Sequence, residues 1–304
     1  MDLHQFIQLT VNGLINGSTY ALLGVGFALI LGVTGRFHFA YAFTYTLTGY
    51  LAAVAASSWG LPVIPAMLIG LLVGIVMGVL IEVGVYRPLA AKAGTNSLLV
   101  IFVASLGITI AGQSAITLIW GLNAQARTLE AFKISTWHLG SINFTNLDVL
   151  TVVVAWACTL AFSAFLRFSS HGRQIKAVRA NPEMAQAVGI DSRAIYRVAF
   201  AIGSIFAGVA AILYTLKYAA VPDMGQRPVF YALVVAFIGG TARAPWKVGL
   251  TGLGLGLIES WSGNWVSAQW SSTIVFAVLL IYLTWQSLKS AAWARPIRVL
   301  AQQS

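Results

Sequence analysis

The chain has 304 residues, of which 59% are hydrophobic and only 9% charged, with a net charge of +10 and a mean hydropathy of +0.83. A soluble domain carries about a quarter charged residues, so this composition excludes a water-soluble globule and makes lipid the solvent over most of the surface. The basic excess then marks loops on one side of a membrane rather than a nucleic-acid surface.

Apolar runs approaching the roughly 17–25 residues of a bilayer crossing lie at about 8–33, 38–56, 62–85, 97–120, 147–166, 196–216 and 271–288. The apolar region 229–262 is interrupted at Thr241-Ala-Arg-Ala-Pro-Trp-Lys247, so it reads as two short helices or one broken, re-entrant hairpin. The fold class is therefore all-α: a polytopic membrane protein of eight or nine segments. Residues 1–304 read as a single transmembrane domain that contains the loop 167–197. The first run begins almost at once with no basic stretch before it, so no cleaved leader is expected.

The first two runs carry unusual polarity. Asn12, Asn16, Thr19 and Tyr20 cluster in the first, and His38 and Tyr41 open the second, followed by Thr44, Tyr45, Thr46 and Thr48. Polar side chains in a membrane face protein or a watery cavity, so Asn12, Asn16, Thr19, Tyr20, His38 and Tyr41 are candidates for a translocation path. Next to Arg36, His38 suits an interface position better than a proton relay.

Small residues recur at helical spacing: Gly13/Gly17, Gly70/Gly74/Gly78 and Gly252/Gly256. They let helices approach closely where lipid offers no hydrophobic drive for association. The stretches 74–82 and 252–259 both end a Gly-rich run in Ile-Glu. A repeat would make Glu82 and Glu259 equivalent. Glu82 is expected to pair with Arg87 or another cation, whereas Glu259 joins the path candidates. The outer loop 121–146 is polar enough to meet water or a partner. The lone Cys158, inside an apolar run, offers neither a disulfide nor a metal site.

The polar island Arg167–Arg197 holds six of the 18 Lys and Arg residues. Residues 172–179 suit a short basic helix containing Gly172, Arg173 and Arg179. Asn181-Pro182 supplies a second helix start, with Asn as N-cap and Pro at the first helical position. Glu183 sits at the positive helix end, Ala185 lies within the turn that follows, and Gly189 is placed to stop it. Met184, Ala187 and Val188 form a small apolar stripe. It suits either a groove in a partner protein or a lipid surface. Fourteen basic residues fall on the side of this loop and four on the other, which expects the loop and the C-terminus in the cytoplasm. No phosphate loop, HExxH or GxSxG pattern occurs, so neither ATP hydrolysis nor other catalysis is expected of this chain.

Together, several stretches resemble the permeases of branched-chain amino acid type ABC importers. They are Gly172-Arg173 with Arg179-Ala-Asn-Pro-Glu-Met-Ala-Gln-Ala-Val-Gly-Ile-Asp191, Asn12-Gly-Leu-Ile-Asn-Gly-Ser-Thr-Tyr-Ala-Leu22, Tyr86-Arg-Pro-Leu89, Gly239-Gly240 and Leu255-Gly-Leu-Ile-Glu259. The resemblance implies a multi-pass subunit of a bacterial inner membrane. Its partners would be a second permease (related or identical), two cytoplasmic ATPases and an extracytoplasmic solute-binding protein. It further implies that ATP and Mg are bound by the ATPases and no cofactor by this chain. Gly172, Arg173, Arg179, Asn181, Pro182, Glu183, Ala185 and Gly189 would then belong to the loop that couples the ATPases to the spans. The chain departs from the family pattern at His38-Phe-Ala-Tyr-Ala42 and Thr241–Lys247, so urea, short amides, other amino acids and aromatic acids stay open beside branched-chain amino acids. A stand-alone secondary transporter or channel is the alternative.

Overall fold

The computed structural model describes residues 3–121, 135–139, 142–240, 244–265, 270, 273–286 and 288. Most of the loop 121–146, residues 241–243 and the C-terminal Lys289, Arg295 and Arg298 lie outside them. The helices are α1 (Leu3–Thr34), α2 (Tyr41–Ser57), α3 (Val63–Leu80), α4 (Arg87–Ala93), α5 (Ser97–Trp120), α6 (Asn146–Phe168), α7 (Ser170–Ala180), α8 (Pro182–Ala187), α9 (Ser192–Lys217), α10 (Gln226–Gly239), α11 (Pro245–Ser262) and α12 (Thr273–Gln286). A π-helical stretch, Ile81–Tyr86, fuses α3 and α4 into one rod of 31 residues. A hairpin of β1 (Thr136–Leu139) and β2 (Ile142–Thr145) leads into α6.

Five of these elements are long and apolar enough to cross a membrane: α1, the α3–α4 rod, α5, α6 and α9. Two shorter apolar helices, α10 and α12, stand beside them among the described residues, and α2 and α11 pack between these elements. Contacts fix the direction of most of them. Gln5 at the start of α1 donates to Asn264 beyond the end of α11 (2.8 Å), and Gln8 donates to the Asn143 carbonyl of β2 (3.0 Å). The other end of α1 leads to Arg36, which pairs with Glu82 of the π stretch. One face of the molecule, the N-terminal face, thus gathers the starts of α1 and α6 and the end of α11. The opposite face, the loop face, gathers the end of α1, the π stretch, α7 and α8.

Glycine decides how tightly α1 packs. It runs antiparallel to α11, and the two small-residue pairs meet backbone to backbone. A Cβ on Gly13 would stand 2.9 Å from Leu257 Cα, one on Gly17 2.8 Å from Leu253 Cα, and one on Gly252 2.6 Å from Ala21 Cα. Gly70 approaches the Thr48 carbonyl of α2, Gly74 the Thr48 side chain and Gly78 the Ser204 side chain of α9. All seven glycines that the spacing singled out therefore face a neighbouring helix.

α2 is the centre of the packing. Every residue from Tyr41 to Tyr50 is buried, enclosed by α3, α5, α9 and α10. Its threonines find their partners within the protein. Thr44 donates to the Ala40 carbonyl (3.1 Å), Thr48 to the Thr44 carbonyl (2.9 Å), and Thr46 accepts the Gly225 N–H (3.1 Å). Residues 35–40, ahead of α2, are mostly non-helical and stand level with the middle of α5. Ser105 accepts the Phe39 N–H (3.3 Å) and Thr109 donates to the Phe39 carbonyl (3.1 Å). Residues 218–225 fold inward the same way, with Ala220 and Met224 buried. Irregular backbone survives at membrane depth only when protein supplies its hydrogen bonds. The sequence marked a single break, near 241–247; two further breaks are held by polar side chains of distant helices.

The short match between 74–82 and 252–259 falls on two helices of opposite direction. Glu82 ends its run at the loop face and Glu259 near the N-terminal face, because α3 and α11 run in opposite directions. The cation beside Glu82 is Arg36 rather than Arg87, brought in from 46 residues away.

Overfilling the α1–α11 seam tests this packing. Gly256→Leu is expected to destabilise by about 1–3 kcal/mol or more, the usual cost of overpacking. Gly254→Ala, where a Cβ meets nothing within 4 Å, is expected to leave thermal unfolding in detergent unchanged. Equal melting of the two variants would contradict the close approach.

Candidate functional site

A cavity of about 430 Å³ lies between α1, α2, α6, α9, α10 and α11, in the half of the molecule toward the N-terminal face. Asn16, Thr19 and Tyr20 enter it from successive positions of one turn of α1. Tyr20 stacks on Tyr231 of α10, with ring centroids 4.5 Å apart and planes within 9°. Both phenols donate to the same carboxylate: Tyr20 to Glu259 Oε2 (2.6 Å) and Tyr231 to Glu259 Oε1 (2.9 Å). The α1–α11 seam holds this clamp in place, since Glu259 lies one turn beyond Gly256.

A second charged group closes the cavity from α6 and α9. Lys217 Nζ bonds Asp148 Oδ1 at 2.6 Å and lies 5.6 Å from the centre of the Tyr218 ring. Asp148 is also the N3 residue of a capping box. Its Oδ2 accepts from the Thr145 N–H (2.9 Å) and hydroxyl (2.7 Å), while the Thr145 hydroxyl accepts the Asp148 N–H (3.2 Å). One carboxylate thus starts α6 and ties it to the end of α9. Arg227 completes the charged lining. Two acids, Asp148 and Glu259, and two bases, Lys217 and Arg227, leave the cavity close to neutral. Such a space suits a small, polar, net-neutral solute.

Of the seven path residues expected from sequence, Asn16, Thr19, Tyr20 and Glu259 line this cavity. Asn12 is exposed one turn nearer the N-terminal face and accepts from Gln8 (3.0 Å). His38 and Tyr41 do not reach the cavity. His38 is fully buried against Tyr86 (Nδ1 to hydroxyl, 2.9 Å) and Phe200, so it is a core residue and not an interface one. Tyr41 is buried beside the Leu23 carbonyl. From α2 the cavity receives Tyr45 instead. Asp148, Arg227 and Tyr231 were missed as site residues. The Thr145-x-x-Asp148 spacing signals a helix start, but the reach from Asp148 to Lys217 is visible only in three dimensions.

At the loop face, α7 and α8 gather all eight residues singled out there. Gly172 sits against the end of α6, where a Cβ would lie 2.7 Å from Leu166 Cα. Ile175 and Val178 bury the inner side of α7, leaving Arg173 and Lys176 exposed and Arg179 half-buried. Asn181 Oδ1 accepts the N–H groups of Glu183 and Met184, both at 3.0 Å, and Pro182 opens α8. Gly189 stops it with φ +83°. There the Gly189 N–H donates to the Gln186 carbonyl and the Ile190 N–H to the Ala185 carbonyl, both at 2.9 Å. Ala185 is the buried contact of α8, Glu183 is exposed, and Met184 and Val188 project outward at 68% and 75% exposure.

Replacing Lys217 tests the cavity wall. Lys217→Met strips a mostly buried carboxylate of its ion-pair partner, and the expected cost is about 1–3 kcal/mol. Asp148→Asn, which keeps an acceptor at the helix cap, is expected to cost less. Thermal unfolding of the two variants in detergent checks the order, and the reverse order would contradict the shared role of Asp148.

The chain is similar to known permeases over most of its length. BraD, the high-affinity branched-chain amino acid transport system permease protein of Pseudomonas aeruginosa, is 28% identical over 93% of this chain and 94% of its own length. LivH of Escherichia coli, described in the same words, is 26% identical over 91% and 92%. The fructose import permease protein FruF of Bifidobacterium longum is 22% identical over 84% and 72%. The family model described as branched-chain amino acid transport system / permease component matches residues 9–283. A match over almost the whole chain, on a polytopic helical fold, makes this protein a member of that permease family: a membrane component of a transport system and not an enzyme.

Proposed function

We propose that this chain is the membrane subunit of an ATP-driven importer that carries a branched-chain amino acid, or a closely related small polar solute, into the cytoplasm. An extracytoplasmic binding protein delivers the solute at the N-terminal face. Two ATPase subunits, which bind ATP and Mg, dock at the loop face, and a second permease completes the membrane core. The fourteen-to-four bias of basic residues supports a cytoplasmic loop face. Nine segments then leave the N-terminus outside.

The observation that carries the reading is α8: a six-residue helix, capped at both ends, that presents Met184, Ala187 and Val188 to solvent beyond the ends of the spans. An exposed apolar knob of this kind suits a groove in a partner. It is not isolated from the membrane helices. Ser192 at the start of α9 donates to the Pro182 carbonyl (3.3 Å), and α7 packs on α1, α6 and α9. Arg36 at the end of α1 lies 5.3 Å from the centre of the Tyr196 ring of α9 and pairs with Glu82. A push on α8 therefore reaches α9, α1 and the π stretch through direct contacts. Transport becomes a two-state equilibrium that ATPase closure biases. The cavity supports the solute class: near-neutral charge with both acids and bases in the lining suits a zwitterion better than an ion.

Gly189→Pro tests the coupling role. Proline cannot adopt φ +83° and lacks the N–H that bonds Gln186. The variant is expected to insert normally while uptake per ATP hydrolysed falls about tenfold, within the usual range of coupling energies of about 1–3 kcal/mol. Uptake and ATPase rate measured together in proteoliposomes decide it. Unchanged coupling with a melted α8 would remove the loop from the mechanism.

A further inference from the structure

A second cavity, of about 380 Å³, lies at the loop face and is lined by Arg87, Gln186, Asp191, Arg193 and Arg197. It belongs to neither the solute cavity nor the exposed stripe of α8. Three guanidinium groups come from two elements: Arg87 opens α4, and Arg193 and Arg197 lie four apart on the first turns of α9. Among the described residues, none of the three is within ion-pair distance of a carboxylate; the ion pairs present are Arg36–Glu82 and Lys217–Asp148. The one acid in the lining, Asp191, is engaged as the cap of α9, its Oδ1 accepting the Arg193 N–H at 2.9 Å. The lining thus carries a net charge of two positive, three guanidinium groups against the one carboxylate of Asp191.

We propose that this recess holds the phosphate of an anionic phospholipid from the leaflet at the loop face. Guanidinium forks match phosphate oxygens with paired hydrogen bonds, and basic pockets beside spanning helices at this depth suit lipid headgroups. The neighbouring surface favours a lipid over a soluble anion or a protein carboxylate. Leu72, Val76, Leu80 and Val83 are exposed along one side of the α3–π rod, spaced four, four and three residues apart. This apolar track ends one turn before Arg87, so an acyl chain laid along it brings its headgroup to the arginines. Gln186 of α8 lines the same recess. The bound headgroup therefore bridges α8 to α4 and α9, and the site couples membrane composition to the docking loop.

The test uses the protein purified in mild detergent, with its partner subunits where these stay bound, after growth or reconstitution with phosphatidylglycerol. Native mass spectrometry counts the retained lipid. Each change among Arg193→Gln, Arg197→Gln and Arg87→Gln is expected to weaken retention about fivefold. Lys92→Gln, an exposed basic residue of α4 outside the recess, is expected to leave retention unchanged, and Arg87→Lys guards against loss through misfolding. Equal retention in the wild type and the Arg193→Gln/Arg197→Gln protein overturns the proposal. Displacement of the lipid signal by inorganic phosphate at millimolar concentration would assign the recess to a free anion instead. Loss of bound ATPase subunits with lipid retention intact would assign it to a protein partner.

Discussion

Inside a bilayer no water replaces a missing hydrogen-bond partner, and lipid gives two helices no hydrophobic reason to meet. Both conditions bear hardest on α2. It is buried along most of its length and preceded by irregular backbone at membrane depth. Ser105 and Thr109 satisfy Phe39 from α5, Thr46 satisfies Gly225, and the remaining threonines bond their own helix. Close packing then comes from glycines: Gly70 and Gly74 bring α3 onto α2, and the α1–α11 seam closes beside them. The cavity of about 430 Å³ is a product of this arrangement. It opens where aromatic and charged side chains of α1, α10 and α11 replace glycine contacts.

Charge in this molecule is placed at the two ends of the packed core. Asp148 and Lys217 join α6 to α9 at the N-terminal face, and Arg36 and Glu82 join α1 to the π stretch at the loop face. Removing one partner of such a pair costs more than the pair gains over an apolar replacement. Ion pairs of this kind suit specification of which helix ends meet. The pair at the loop face also adjoins Tyr196 of α9, so it ties the end of α1 and the π stretch to α9. The arginines of the second recess lie on the same side.

Composition and periodicity determined the membrane class, the positions of the spans and the two caps of α8, because each follows from local chemistry. Twenty apolar residues have no other solvent, and Asn-Pro followed seven residues later by Gly starts and stops a helix whatever surrounds it. The glycine pairs were legible as packing surfaces, though not as to which helix each would meet. Tertiary structure decided what depends on residues far apart in the chain. Glu82 found Arg36 rather than its neighbour Arg87, and Glu259 found Tyr20 across 239 positions. His38 and Tyr41, polar and early in a span, turned into the core instead of the cavity. A polar residue in a membrane segment needs a partner, and sequence states the need; only the packing of the helices determines who meets it.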